Sequence, residues 1–152
     1  RRDGEKTDFE PELICPPTLA PFVWPCPWPL SLESLNRAAG DILGTHDFTT
    51  FAVADPDLAL RAAPGPAPAP VRTISHSEWQ AHEGLLLYRV TADGFLHHMV
   101  RNLVGWLLEI GRGARHADEI TAVLAARARS AAGPTAPPQG LYLARVDYDE
   151  TA

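Results

Sequence analysis

Apolar and polar positions follow clear periods along most of this chain, and the clearest lies between Gly94 and Gly113. Leu96, Val100, Leu103, Leu107 and Ile110 recur at helical spacing, and Met99, Val104 and Leu108 widen that face. His98, Arg101, Asn102, Gly105 and Glu109 form a narrow polar stripe against it. The pattern predicts a helix of about 17 residues. The turn dipeptide Asp93-Gly94 opens it, and Gly111 and Gly113 close it. So apolar a helix that keeps an Arg and an Asn either pairs them inside or turns them into a cleft. A core helix whose Arg meets a structural carboxylate and a helix that presents its Arg to a ligand are both open at this level. The segment is too short and too polar to span a membrane.

Other periods place the remaining elements. Ser31 suits an N-cap, and Leu32, Leu35, Ala38, Ala39 and Ile42 follow at helical spacing up to Gly44. His46-Asp47-Phe48 is expected on a loop, with Phe48 and Phe51 packed. His46 beside Asp47 has the residue types of an oriented base. Neighbours on an extended chain point apart, however, which favours a structural hydrogen bond. Val71–Trp79 and Leu85–Thr91 read as two strands, joined by a hairpin loop at residues 80–84. Ala117–Arg127 reads as a further helix, with Ile120, Val123 and Leu124 on one face and acids at its start. Residues 133–139 form a rigid loop holding Pro134, Pro137 and Pro138, and Leu141–Tyr148 reads as a last, central strand. This order predicts an α+β domain, an antiparallel sheet with helices packed on one face.

Composition divides the chain. Residues 1–14 are polar, without periodicity, and are expected to be disordered or displaced. Residues 15–30 carry prolines at a density that excludes a helix or central strand, with Phe22, Trp24 and Trp28 between them. They read as an extended connector packed on the domain, or as a polyproline ligand. Residues 31–150 form the domain itself, and the loop from Pro56 to Pro70 is expected on its surface. The net charge of −6 is the wrong overall sign for a nucleic-acid binder, yet binding depends on local charge. Residues 95–133 carry Arg101, Arg112, Arg115, Arg127 and Arg129 against Glu109, Asp118 and Glu119, so basic charge gathers around the main helix. Cys15 and Cys26 suit neither a metal knuckle nor a disulfide scaffold, and read as free thiols in a reducing cytoplasm. No metal site, signal peptide or lipidation motif is visible.

Three segments carry a resemblance. Phe95-Leu-His-His-Met-Val-Arg-Asn-Leu-Val-Gly105, Gly44-Thr-His-Asp-Phe-Thr-Thr-Phe51 and the stretch from Gly133 to Tyr148 resemble, in the right order, three motifs of the tRNA pseudouridine synthase A family. The resemblance covers about 105 residues and implies one half of the pseudouridine synthase fold, the C-terminal one. It implies an isomerase that turns uridine into pseudouridine in tRNA, in the anticodon arm, without metal or organic cofactor. The implied partners are tRNA and either a second copy in a homodimer or a missing N-terminal half, and the implied location is the cytoplasm.

By the same resemblance, Arg101 is the ion-pair partner of a catalytic Asp and Leu141 packs on the target base. His98, Asn102, Phe95 and His97 are RNA-binding candidates on or beside the same stripe. His97 stands where the family varies, and His98 could instead satisfy a buried carbonyl. The family's nucleophilic Asp lies in an R-T-D-x-G-V-H-A motif that this chain lacks; Arg2-Asp3-Gly4 is only a faint echo. No nucleophile is therefore found, and the chain alone is expected to be inactive: a fragment, a split subunit or a degenerate product. A non-catalytic RNA-binding or scaffold protein derived from the fold is the alternative. Without its other half the domain is expected to leave an apolar patch bare and to self-associate.

Overall fold

A computed structural model describes residues 15–57, 60, 64–65 and 69–148. The N-terminal segment 1–14, with Asp3, and parts of the proline-rich loop lie outside the described residues.

The first helix, α1, spans Leu32–Asp41. The Ser31 hydroxyl accepts the Ser34 amide at 3.2 Å, which satisfies one of the amides left without a helical partner at the N-terminus. Its inward residues Leu35, Ala38 and Ala39 are buried. The chain then turns at Gly44, whose φ of +93° only glycine adopts freely. It enters a short strand, β1, at Gly44–Asp47. A loop was expected here; four polar residues are too few to show a strand period, and a strand partner supplies what the pattern lacks. The partner is β2 (Val71–His82), paired antiparallel with Gly44 opposite Ile74. The Thr45 and Thr73 hydroxyls lie 2.7 Å apart across this pair.

β2 continues into β3 (Leu85–Ala92) through a two-residue turn, Glu83-Gly84. Both turn residues have positive φ, 49° and 77°, the backbone whose twist matches that of a hairpin. The register shifts once, between Ile74 and His76. The sheet order is β1-β2-β3. The Asn36 side chain ties α1 to it, donating to the Trp79 carbonyl at 3.0 Å and accepting the Trp79 amide at 2.8 Å.

The main helix, α2, runs Met99–Gly111, shorter at its start than its apolar period suggests. His98 adopts a left-handed backbone, φ 58°, so the helix cannot extend upstream of it. The buried face is also rotated from the expected one. Met99, Leu103, Trp106, Leu107 and Asn102 are fully inside, while Val100 and Val104 are half-buried. The Trp106 ring meets Phe51 edge-on at 6.0 Å, and with Phe48, Ile74, Leu35 and Ile42 they form the core. Glu109 is nearly buried and is held by a fork from Arg112, at 3.0 and 2.9 Å. The same guanidinium lies 4.5 Å from the Trp28 ring centre. That contact, with Trp24 and Cys26 packed on the core, lays the end of the 15–30 stretch on the domain. Both cysteines are free thiols.

The next helical stretch begins as a tight 3-10 turn, Ala117–Glu119, and becomes α3 at Ile120–Ala126. One expected strand does not form. Residues 141–148 pair with no strand among the described residues, and Leu143 and Tyr148 are 80% and 84% exposed. A central strand needs a neighbour on each side, and this segment joins neither β1 nor β3. No described helix is long and apolar enough to cross a membrane.

Gly111 sits where α2 meets α1. A Cβ there would lie 2.7 Å from Leu35 Cδ2 and 2.8 Å from Leu35 Cγ, both inside the core. Replacement of Gly111 by Ala is expected to cost about 1–3 kcal/mol of stability through overpacking, read as a lower urea midpoint. An unchanged midpoint would mean that the two helices slide apart freely.

Candidate active site

The site lies at the start of α2, where the helix meets the loop at residues 133–138. The left-handed turn at His98 swings its ring back over the first helical turn. There its Nε2 lies 3.5 Å from Arg101 Nη1. The His97 ring stacks on His98 with centres 4.0 Å apart. The His97 carbonyl accepts the Val53 amide at 3.1 Å, which ties this turn to the chain that follows Phe51.

Arg101 is half-buried. Its Nε donates to the Ala136 carbonyl at 2.8 Å, and the Ala136 amide donates back to the Arg101 carbonyl at 3.1 Å. Among the described residues, Arg101 makes no ion pair. The carboxylate that a plain core helix would need is thus not provided there. With Nε fixed, the two terminal nitrogens remain as an end-on fork, the arrangement that grips a carboxylate or phosphate through two parallel bonds.

Asn102 requires a correction. It was expected among the RNA contacts, but its side chain is fully buried. Its Nδ2 donates to the Phe51 carbonyl at 2.7 Å and its Oδ1 accepts the Thr135 hydroxyl at 2.7 Å. Both ends are used inside the protein, as burial of an amide requires. Phe95 and Leu141 are 42% and 49% exposed. The structure thus gathers His97, His98 and Arg101 on one turn. Among the described residues, no hydrogen bond or ring contact draws Phe95 or Leu141 onto them. Leu141 hangs from the far end of the Arg101-bound loop, its amide donating to the Pro138 carbonyl at 3.2 Å.

The residues that sequence reasoning missed are on that loop and just before it: Arg129, Thr135 and Ala136. A backbone carbonyl leaves no trace in a residue pattern. The available signal was position, since Thr135 and Ala136 fall inside one of the three motifs. The motif pair His46-Asp47 turns out to be structural. His46 Nε2 lies 2.8 Å from the Leu43 carbonyl. Asp47 accepts the Thr49 hydroxyl and amide at 2.6 and 2.9 Å, which starts the 3-10 turn Thr49–Phe51. These bonds hold the Asp47 carboxyl below its ordinary range, with a smaller contribution from Arg127, 3.3 Å away. Among the described residues, no three His, Cys, Asp or Glu gather as a metal site.

The arrangement can therefore grip an anion, and among the described residues no carboxylate is paired to that grip. Comparison with known proteins gives this site its setting. A family model described as tRNA pseudouridine synthase matches residues 38–149. The chain is 46% identical over 123 residues to a tRNA pseudouridine synthase A of Bacillus pumilus (strain SAFR-032), covering 81% of this chain and 46% of that protein. It is 40% identical over 146 residues to one of Anoxybacillus flavithermus (strain DSM 21510 / WK1), covering 96% and 52%. It is 45% identical over 121 residues to one of Acinetobacter baumannii (strain ACICU), covering 80% and 42%. The chain belongs to the tRNA pseudouridine synthase family, and it spans about half the length of these relatives.

His98 is a titratable group of this site. Partial burial lowers its pKa, and the neighbouring His97 and Arg101 charges lower it further. The folded state then binds this proton less tightly than the unfolded chain. Its contribution to stability is full above about pH 6.5, and it is lost as pH falls through the lower folded midpoint. The His98 ring signal in NMR is expected to titrate below the ordinary imidazole midpoint. Replacement by Asn, which tolerates the left-handed backbone, is expected to flatten the acid side of the stability curve. A midpoint at or above the ordinary value would contradict this.

Proposed function

We propose that this chain supplies the C-terminal half of an active tRNA pseudouridine synthase. The catalytic carboxylate would come from an N-terminal half outside these 152 residues. The observation that carries the reading is Arg101: its Nε is anchored, its terminal nitrogens meet the His98 ring but no acid, and no described carboxylate is paired to it. The exposed stretch at residues 141–148, rich in apolar residues and paired with no described strand, supports it, because such a segment can take strand neighbours from another half.

The isomerisation breaks the bond from uracil N1 to the sugar, turns the base, and rejoins it through carbon. The base must first leave its stack, at a cost of a few kcal/mol. A carboxylate then acts on sugar or base as nucleophile or general base. Arg101 holds that carboxylate ionised and aimed, since a guanidinium fork favours the charged form and fixes its plane. Leu141 packs on the flipped base, and His97, His98 and Phe95 line the approach of the RNA. The target uridines lie in the anticodon arm, the work takes place in the cytoplasm, and a homodimer is the assembled form; all three rest on the family motifs.

The test is pseudouridine formation on unmodified tRNA, scored site by site. The chain alone is expected to give no turnover, and addition of an N-terminal half carrying the R-T-D motif is expected to restore it. Turnover by the chain alone would overturn the reading of an absent nucleophile. Tight tRNA binding without turnover, even with the added half, would select a binding protein instead. In the restored enzyme, Arg101→Lys keeps the charge but loses the fork, and is expected to lower kcat by about 100-fold, the scale for a misplaced catalytic group. An unchanged kcat would remove Arg101 from the site.

A further inference from the structure

The loop after the 3-10 turn Arg129–Ala132 does not merely pass α2; it runs antiparallel along it, joined at three successive levels. At the lowest level it touches bare backbone: a Cβ on Gly105 would overlap the Pro134 carbonyl oxygen. One turn earlier along the helix, the Thr135 hydroxyl donates to Asn102 Oδ1 at 2.7 Å. At the top, Ala136 and Arg101 exchange two hydrogen bonds, at 2.8 and 3.1 Å. The loop residue that fixes the guanidinium therefore follows directly on the one locked to the buried amide.

The lock has a direction. Arg129 Nη1 donates to the Gly133 carbonyl at 2.6 Å, and its Nη2 donates to the Thr135 hydroxyl oxygen. A guanidinium has no acceptor, so the Thr135 hydroxyl must spend its own proton elsewhere, and it does so on Asn102 Oδ1. Asn102 then presents its Nδ2 to the Phe51 carbonyl at 2.7 Å. The result is a one-way relay, guanidinium to hydroxyl to amide to carbonyl, in which each bond polarises the next. Each of its members is bonded to the next, and none has been given a part in the chemistry.

We propose that Arg129 and Thr135 are positioning residues for Arg101. By locking the loop onto Asn102, they place the Ala136 carbonyl against Arg101 Nε and so set where the guanidinium fork points. This rests on Arg101 being the group that holds the catalytic carboxylate. Thr135 is exposed at the surface, so its hydroxyl contributes through this bond and not through burial of its methyl group.

The test reads Arg101 directly, in the chain as it exists. Hydrogen exchange of the Arg101 Nε–H is followed by NMR, with its signal assigned by its loss in Arg101→Lys. Thr135→Val keeps the shape and removes the hydroxyl. It is expected to speed exchange of this one proton about 10-fold, the scale of one lost hydrogen bond. The amides within α2 should be unaffected, and Thr135→Ser should restore the slow rate. Arg129→Met, which keeps length without donors, should act in the same direction and decides the matter if the Val variant does not fold. An unchanged Nε–H rate overturns the proposal. Equal acceleration of the Nε–H and the α2 amides also overturns it, because the loop would then be only structural support. In the two-half enzyme, Thr135→Val should lower kcat and leave KM for tRNA unchanged. A faster Nε–H with unaltered kcat would instead fault the role given to Arg101, and the positioning would stand.

Discussion

Ten of the thirteen residues of α2 are buried, and that enclosure constrains almost everything around it. A helix with so little surface cannot leave polar side chains to water, and Glu109 and Asn102 find partners in the protein, while the Trp106 indole N–H is buried without one. Glu109 is closed by the fork from Arg112. Asn102 is closed by Phe51 on one side and Thr135 on the other. The elements supplying those partners are drawn into place by the demand: the 3-10 turn at residues 49–51 and the loop at residues 133–138, with Trp28 of the connector packed on Arg112. Close approach is possible because glycine stands at the two crowded points, Gly105 under the loop and Gly111 under α1. Neither glycine needs its conformational freedom there; each is required for its missing side chain.

Against this background Arg101 is the exception. It sits on the same helix, yet its charge is left without a carboxylate among the described residues; its Nε is bonded to the Ala136 carbonyl and its Nη1 meets only the His98 ring, at 3.5 Å. A buried Arg would cost too much unpaired, and a fully exposed one would be free to wander. Arg101 is between these limits. The loop holds its base still while its tip stays open, which is the compromise expected of a group that waits for a partner.

Much of the fold was legible because it rests on periodicity. The hairpin, α1 and the existence of α2 follow from apolar spacing, and the three motifs located the site. What escaped has a common cause: it depends on groups that a residue pattern does not display. β1 is four polar residues made into a strand by pairing with β2. The start of α2 is set by a left-handed His98, for which the residue type gave only a mild preference. Asn102 looked like part of a polar stripe, yet it is turned inward because Trp106, not Val100, lies in the packed face, while His98 and Arg101 of the same stripe stay half-buried. Leu141–Tyr148 reads as a central strand because its residues are those of one. The sequence records the neighbours the segment is built for, while the structure records that it joins no described strand.

With Arg101 in the role proposed for it, its bond from Nε to the Ala136 carbonyl bears on assembly as well as on chemistry. An arginine carries several freely rotating bonds, and freezing them at the moment of association would weaken any complex built on it. Here the bonds nearest the helix are already restrained when the domain folds. An incoming acid thus meets a receptor whose direction is set in advance, and loses little side-chain entropy on engaging it. Selection among carboxylates then becomes a matter of angle: an acid that arrives off the axis of the fork gains a single bond, and only one arriving along it gains two.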